Sequence, residues 1–155
     1  MLSEIGQYSF PVIRGMRPFR LHVVGDFYSL AYIEKWRLII KSCPDIQFYG
    51  YTRSWRDPEL LPALEELRRF PNVQLHASLD WTHKDTPSSD WRLTSIAGTG
   101  IPCSYEAKKV DSCMQCGRCF TPQKYGHTSW KLKYGTCVPD ELLPLNYSII
   151  QDGAR

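Results

Sequence analysis

The chain has 155 residues and a mass of 18.0 kDa, a length that suits one domain and leaves little room for two. With 43% hydrophobic and 23% charged residues it has a globular composition, which excludes a disordered chain and a collagen-like repeat. The net charge of +3 is too small to announce a nucleic-acid binder by itself, and the best apolar run, Leu38-Ile39-Ile40, stops at Lys41, far short of a membrane span.

Residues 1–18 read as a lead-in punctuated by Gly6, Pro11, Gly15 and Pro18, and MLSEIGQYSF has no basic start before an apolar stretch. A cytoplasmic protein without membrane contact is expected. A βα rhythm then fills 19–97. Residues 19–24 predict a strand closed by Gly25-Asp26, and residues 28–42 a helix with Leu30, Ile33, Trp36 and Ile40 on one face, ended by Pro44. Residues 46–51 predict a second strand. Asp57 as N-cap and Pro58 at the first helical position open a helix to about Arg69, burying Leu60, Leu64 and Leu67, with Pro62 bending its first turn. Residues 73–78 and 91–96 predict two more strands. Strands alternating with helices of about a dozen residues imply an α/β fold, a parallel sheet of about four strands that is open or part of a TIM-like barrel. From Gly98 the rhythm dissolves, so residues 98–155 form a loop-rich, cysteine-rich module packed on the βα domain.

Alternation along the predicted strands sorts their side chains into two faces. Leu21, Val23, Ile46, Phe48, Val73, Leu75 and Ala77 make an apolar face. His22, Val24, Asp26, Gln47, Tyr49, Tyr51, Arg53, Gln74, His76, Ser78 and Asp80 make the other, polar where a doubly covered parallel sheet should be apolar. Asp26, Arg53 and Asp80 fall at carboxyl ends of strands, where α/β folds place ligands. His22, Asp26, Arg53, His76 and Asp80 are therefore candidates for holding a small polar or anionic ligand. The alternative is a one-sided sheet, with each histidine a hydrogen-bonded packing residue.

Six cysteines are present, and five lie at or beyond residue 103. In a reducing compartment, metal ligation is favoured over disulfides. Cys113, Cys116 and Cys119 form a C-x2-C-x2-C run, the spacing of the first three ligands of a bacterial-ferredoxin-type [4Fe–4S] site. Gln123 stands where that motif's fourth cysteine would be, so a remote thiol must complete the set: Cys103 first, Cys137 second. Zinc is the rival, since it also takes four cysteines, though usually as two separated pairs. Cys43 reads as a small buried residue, and His127 as a loop histidine.

Basic residues crowd the same module. Lys108, Lys109, Arg118, Lys124, Lys131 and Lys133 face only Glu106 and Asp111 between 103 and 135, and Tyr105, Phe120, Tyr125, Trp130 and Tyr134 interleave with them. Such a mixture offsets the charge of a thiolate-ligated centre, or binds single-stranded nucleic acid by charge and stacking.

Residues 20–27 (RLHVVGDF), 51–55 (YTRSW) and 71–75 (PNVQL), followed by Cys103, Cys113, Cys116 and Cys119, resemble the phage "gene product 88" family. The likeness covers about residues 17–120. It implies a βα layer ending in a cysteine cluster and an origin in a phage or other mobile element, and it supplies no reaction. The family's sheet is distantly similar to the partial barrel of radical S-adenosylmethionine enzymes. Their C-x3-C-x2-C signature is absent here, and no cysteine precedes Cys43.

The expected function is a four-cysteine metalloprotein, with a [4Fe–4S] cluster ahead of zinc, that acts by binding a macromolecular partner such as host machinery. An iron–sulfur enzyme or electron-transfer protein using the polar sheet face is the first alternative. A zinc-stabilised single-stranded nucleic-acid binder is the second.

Overall fold

Six strands and three helices can be traced in a computed structural model that describes residues 15, 17–80, 85, 87–88, 90–95 and 101–121 and the backbone of 96 and 127–130. The chain falls into two compact units, residues 1–75 with 117–122, and residues 76–116 with 123–155. The fold is α/β, and the strand pairings described below are all parallel.

In the first unit, β1 (Arg17–Arg20) pairs with β2 (Ile46–Thr52), Arg17 opposite Ile46 and Arg20 opposite Tyr49. Leu21 extends the ladder by one bond, its N–H donating to Tyr49 O at 2.7 Å. It is buried against Gly50, where an added Cβ would lie 3.1 Å from Leu21 Cβ, so this close approach favours glycine. The chain then leaves the sheet. The predicted strand of 19–24 is thus corrected to 17–20: Val23 and Val24 are exposed instead of lying on a sheet face, and Gly25 adopts φ +88° in the turn that follows.

Ser29 caps α1 (Leu30–Ser42), its Oγ accepting from Tyr32 N–H at 3.3 Å. Ile33, Trp36, Ile39 and Ile40 form the inner face, while Leu30, predicted to lie on it, is exposed. The Asn72 side-chain amide donates to Ile40 O, Cys43 O and Ile46 O at 3.3, 3.1 and 3.1 Å. One side chain thereby ties the end of α1 to the start of β2, adding to the backbone bonds that Ile40 O and Cys43 O already accept from Cys43 and Ile46 N–H. Phe48, central in β2, is fully buried with Phe19 and Trp36 ring centroids at 5.6 and 6.4 Å.

A short 3-10 turn (Ser54–Arg56) precedes α2 (Leu61–Leu67). Asp57 Oδ1 accepts from Glu59 and Leu60 N–H, so its capping role is real, yet regular helix starts three residues later than Asp57 implied. Pro62 sits in the first helical turn, where its missing N–H costs nothing. Leu60, Leu64 and Leu67 are buried as predicted, and α1 packs against α2.

The third strand, β3 (Val73–Leu79), passes from the first unit into the second. In the second unit it pairs with β4 (Arg92–Ile96), β4 pairs with β6 (His127–Trp130), and β6 with the two-residue β5 (Ile101–Pro102). His76 and Arg92 are cross-strand partners and both are buried, as are Thr94 and Ser95. No helix among the described residues is long and apolar enough to cross a membrane.

Candidate functional site: an apolar loop and a set of thiols

The loop from Leu21 to Ser29 is held by Asp26. Its Oδ1 accepts from Phe27 N–H at 2.8 Å and from Thr52 Oγ1 at 2.6 Å, and its Oδ2 accepts from Arg53 N–H at 2.6 Å. Ser54 Oγ adds a bond to Phe27 O at 2.6 Å. Both oxygens of Asp26 are thus engaged in joining the loop after β1 to the end of β2. The carboxylate expected at a ligand site here acts as a structural tie.

His22 lies beneath the same loop. Its Nε2 is 3.0 Å from the Tyr32 hydroxyl, and its ring meets Phe27 edge-on at 4.6 Å. Nδ1 is buried with no hydrogen-bond partner, so an added proton there would find no acceptor. Burial pushes the His22 pKa below its ordinary value, against the smaller opposing pull of the Asp26 charge. The sign follows directly. Below the unfolded pKa of about 6.5 the unfolded chain binds a proton that the folded chain resists, so stability falls as pH drops through that value and levels off below the folded pKa. Urea midpoints at about pH 7.5 and about pH 5.5 are expected to differ less in His22→Gln than in the unchanged protein. An equal difference in both would remove His22 from the cause.

What the loop presents is apolar. Val23 is 77% exposed, Val24 91%, Tyr28 75% and Leu30 52%, and Tyr28 stacks on Tyr32 at 4.6 Å. Arg20 donates to His22 O at 3.1 Å and Arg53 is tied through its N–H to Asp26, both with exposed side chains. The loop and the start of α1 thus keep several large apolar side chains in water. The sequence reading missed it because strand alternation assigned Val23 to the core. The available signal was Gly25-Asp26 directly after two valines, a turn that ends a strand.

The remaining ligand-site candidates, His76 and Asp80, belong to the second unit, His76 fully buried and Asp80 half-buried. Each unit thus holds part of the predicted polar set: His22, Asp26 and Arg53 in the first, His76 and Asp80 in the second.

Cys103, Cys113 and Cys116 lie in the second unit and Cys119 in the first. None of the four is in a disulfide. Ser112 caps the single turn α3 (Cys113–Cys116), its Oγ accepting from Gln115 N–H at 3.1 Å while Gln115 Oε1 accepts from Asp111 N–H at 2.9 Å. Gly117 follows at φ +72°, the left-handed geometry that commonly ends a helical turn. Cys103 is buried and starts a tight coil in which Ala107 N–H donates to Cys103 O at 2.8 Å. The donor chemistry suits zinc or an iron–sulfur cluster. Among the described residues, however, no group of three or more His, Cys, Asp or Glu side chains is arranged to hold a metal ion. Cys137 lies outside the described residues. Cys43 is half-buried at the end of α1, its thiol pushed up by burial and then by Asp45.

Lys108 and Lys109 are exposed, and Lys108 takes φ +54°, uncommon for a non-glycine residue. Arg118 is half-buried and Tyr105 exposed. Phe120 is a core residue packed on Tyr49 at 5.6 Å instead of a stacking platform, and Lys124 lies outside the described residues.

Residues 12–97 match the protein family described as Gene product 88. This chain belongs to that family. The match covers β1 to β4 and the whole Asp26-braced loop, while the cysteine run lies beyond it. The chain is similar to the Gene 88 protein of Mycobacterium phage L5, 37% identical over 122 residues, which cover 65% of this chain and 49% of that protein. It is 36% identical over 87 residues to the Gene 88 protein of Mycobacterium phage D29, 56% of this chain and 32% of that one. The chain therefore matches no more than about half the length of either relative. No solved structure matches it.

Proposed function

We propose that this Gene product 88 chain is a phage-type metalloprotein that works by binding a macromolecular partner, with Cys103, Cys113, Cys116 and Cys119 holding a [4Fe–4S] cluster. Zinc is the alternative metal, and Cys137 the alternative fourth ligand. The partner-binding role rests on one observation, the braced loop and helix start that keep Val23, Val24, Tyr28 and Leu30 in water. A rigid apolar loop loses little entropy on docking, so burying it returns most of its transfer free energy as affinity.

The metal role is supported by the C-x2-C-x2-C spacing, by the capped turn carrying two of its thiols, and by the left-handed glycine after them. Ligands of small metal modules commonly come together only with the ion, because metal binding and folding are coupled. A catalytic role for the sheet face is less favoured, since Asp26 spends both oxygens internally. Nucleic-acid stacking in the basic module loses Phe120 to the core.

Replacing both valines (Val23→Asp with Val24→Asp) is expected to leave the urea midpoint within about 0.5 kcal/mol of the unchanged protein. It is expected to weaken the complex with a mycobacterial partner co-purified with the unchanged chain by tenfold or more, since each buried valine contributes about 1.5–3 kcal/mol. Retention of that partner at unchanged affinity would refute the loop's role.

A further inference from the structure

One turn of helix brings two of the thiols together. Cys113 and Cys116 open and close α3, and Cys116 N–H donates to Ser112 O at 3.2 Å. Residues three apart on a helical turn have Cα atoms about 5 Å apart, inside the span of about 4.4–6.8 Å that a disulfide bridges. Neither thiol is in a disulfide, Cys113 is exposed and Cys116 half-buried, and both belong to the second unit. To bond, their Cβ atoms must close from about 5–6 Å to about 4 Å. In a long packed helix that movement would strain the turn. Here none of the four residues is buried, and the turn ends at once in Gly117 at φ +72°, so the movement meets little resistance. The same left-handed glycine takes Cys119 off the helical path, and the Phe120 that follows it is anchored on Tyr49 at 5.6 Å.

We propose that Cys113 and Cys116 are a reversible dithiol–disulfide pair that exchanges with a low-molecular-weight disulfide. The pairing needs no metal and stands apart from the four-cysteine reading. The Cys113 thiolate attacks one sulfur of the substrate disulfide, whose S–S bond breaks; a mixed disulfide forms and one thiolate leaves. The Cys116 thiolate then attacks the Cys113 sulfur, and the other half of the substrate leaves as a second thiolate. The protons given up by the two cysteines end on the two departing thiols, and two electrons pass from the chain to the substrate. Exposure sets the order, because an entering disulfide reaches Cys113 before the half-buried Cys116.

Oxidised glutathione is the probe. The reduced full chain is equilibrated in buffers of reduced and oxidised glutathione that contain a chelator, then quenched with acid, alkylated and digested with trypsin. Cleavage after Lys109 and Arg118 isolates residues 110–118, which hold Cys113 and Cys116 and no other cysteine. This peptide is expected two hydrogens lighter and without alkyl groups, while Cys103 and Cys119 are alkylated. The ratio of oxidised to reduced pair is expected to be about tenfold or more higher in the folded chain than in concentrated urea, because the turn raises the effective concentration of one thiol at the other. Cys116→Ser, which lacks the second attack, is expected to stop at the mixed disulfide and keep glutathione on Cys113. A 110–118 peptide that stays fully alkylated, or a bond from either cysteine to Cys103 or Cys119, would overturn the pairing. So would a ratio no higher than in urea. Iron and zinc measured on the same chain before chelation report on the four-cysteine reading separately.

Discussion

Asp26→Ala is expected to destabilise the first unit by about 3 kcal/mol or more, one of the largest effects of any single substitution outside the apolar core. The carboxylate accepts three hydrogen bonds, two of them at 2.6 Å. Bonds to a charged group are worth about 1.5–3 kcal/mol each, and the three share one acceptor group, so their sum is not additive. Alanine also leaves the proton of the fully buried Thr52 hydroxyl without its acceptor, although its oxygen still accepts from Ser54 N–H at 3.0 Å. Asp26→Asn keeps one carbonyl oxygen but turns an amide donor toward a backbone N–H, so an intermediate loss is expected. Urea unfolding followed by tryptophan fluorescence reads both variants. An unchanged midpoint in Asp26→Ala would mean that the loop is not held by this residue, and the case for a preorganised binding surface would fail with it.

Cys116→Ser is expected to have the second large effect, confined to the cysteine module. Structural zinc contributes on the order of 10–16 kcal/mol to small domains, and a whole domain is stable by only about 5–15 kcal/mol, so losing one of four ligands outweighs any local packing. The turn 113–116 runs from a serine cap at one end to a glycine at the other, and none of its residues is buried. Amide hydrogen exchange should show protection of residues 103–121 collapsing in Cys116→Ser while the core around Phe48 stays protected. Full protection of residues 103–121 in the serine variant would make the metal irrelevant to this segment's order.

The parts of this fold that could be read from sequence are those set by local period. Leu60, Leu64 and Leu67 fell on one helical face because spacings of three and four residues dictate it, and the strand beginning at Ile46 announced itself by a run of strand-forming residues after Pro44. The end of β1 was not legible. Leu21-His22-Val23-Val24 alternates acceptably as a strand, and only the bonds from Asp26 to Thr52 and Arg53, 26 and 27 residues away, show that the chain has already turned out. Asn72 posed the same difficulty. It read as a helix stop, whereas its amide serves three carbonyls 26 to 32 residues earlier. In the candidate site, the cysteine spacing was visible because a two-residue loop is a local feature.

The central claim, a metal held by four cysteines, is tested most directly by an ultraviolet–visible spectrum of the full chain purified without oxygen, with iron and zinc measured on the same sample. The expected result is a broad brown absorbance that bleaches on reduction, with about four irons per chain. About one zinc in a colourless protein would keep the four-thiolate centre and replace the cluster by a structural ion. A protein carrying neither metal, whose Cys103, Cys113, Cys116 and Cys119 all alkylate freely, would contradict the claim.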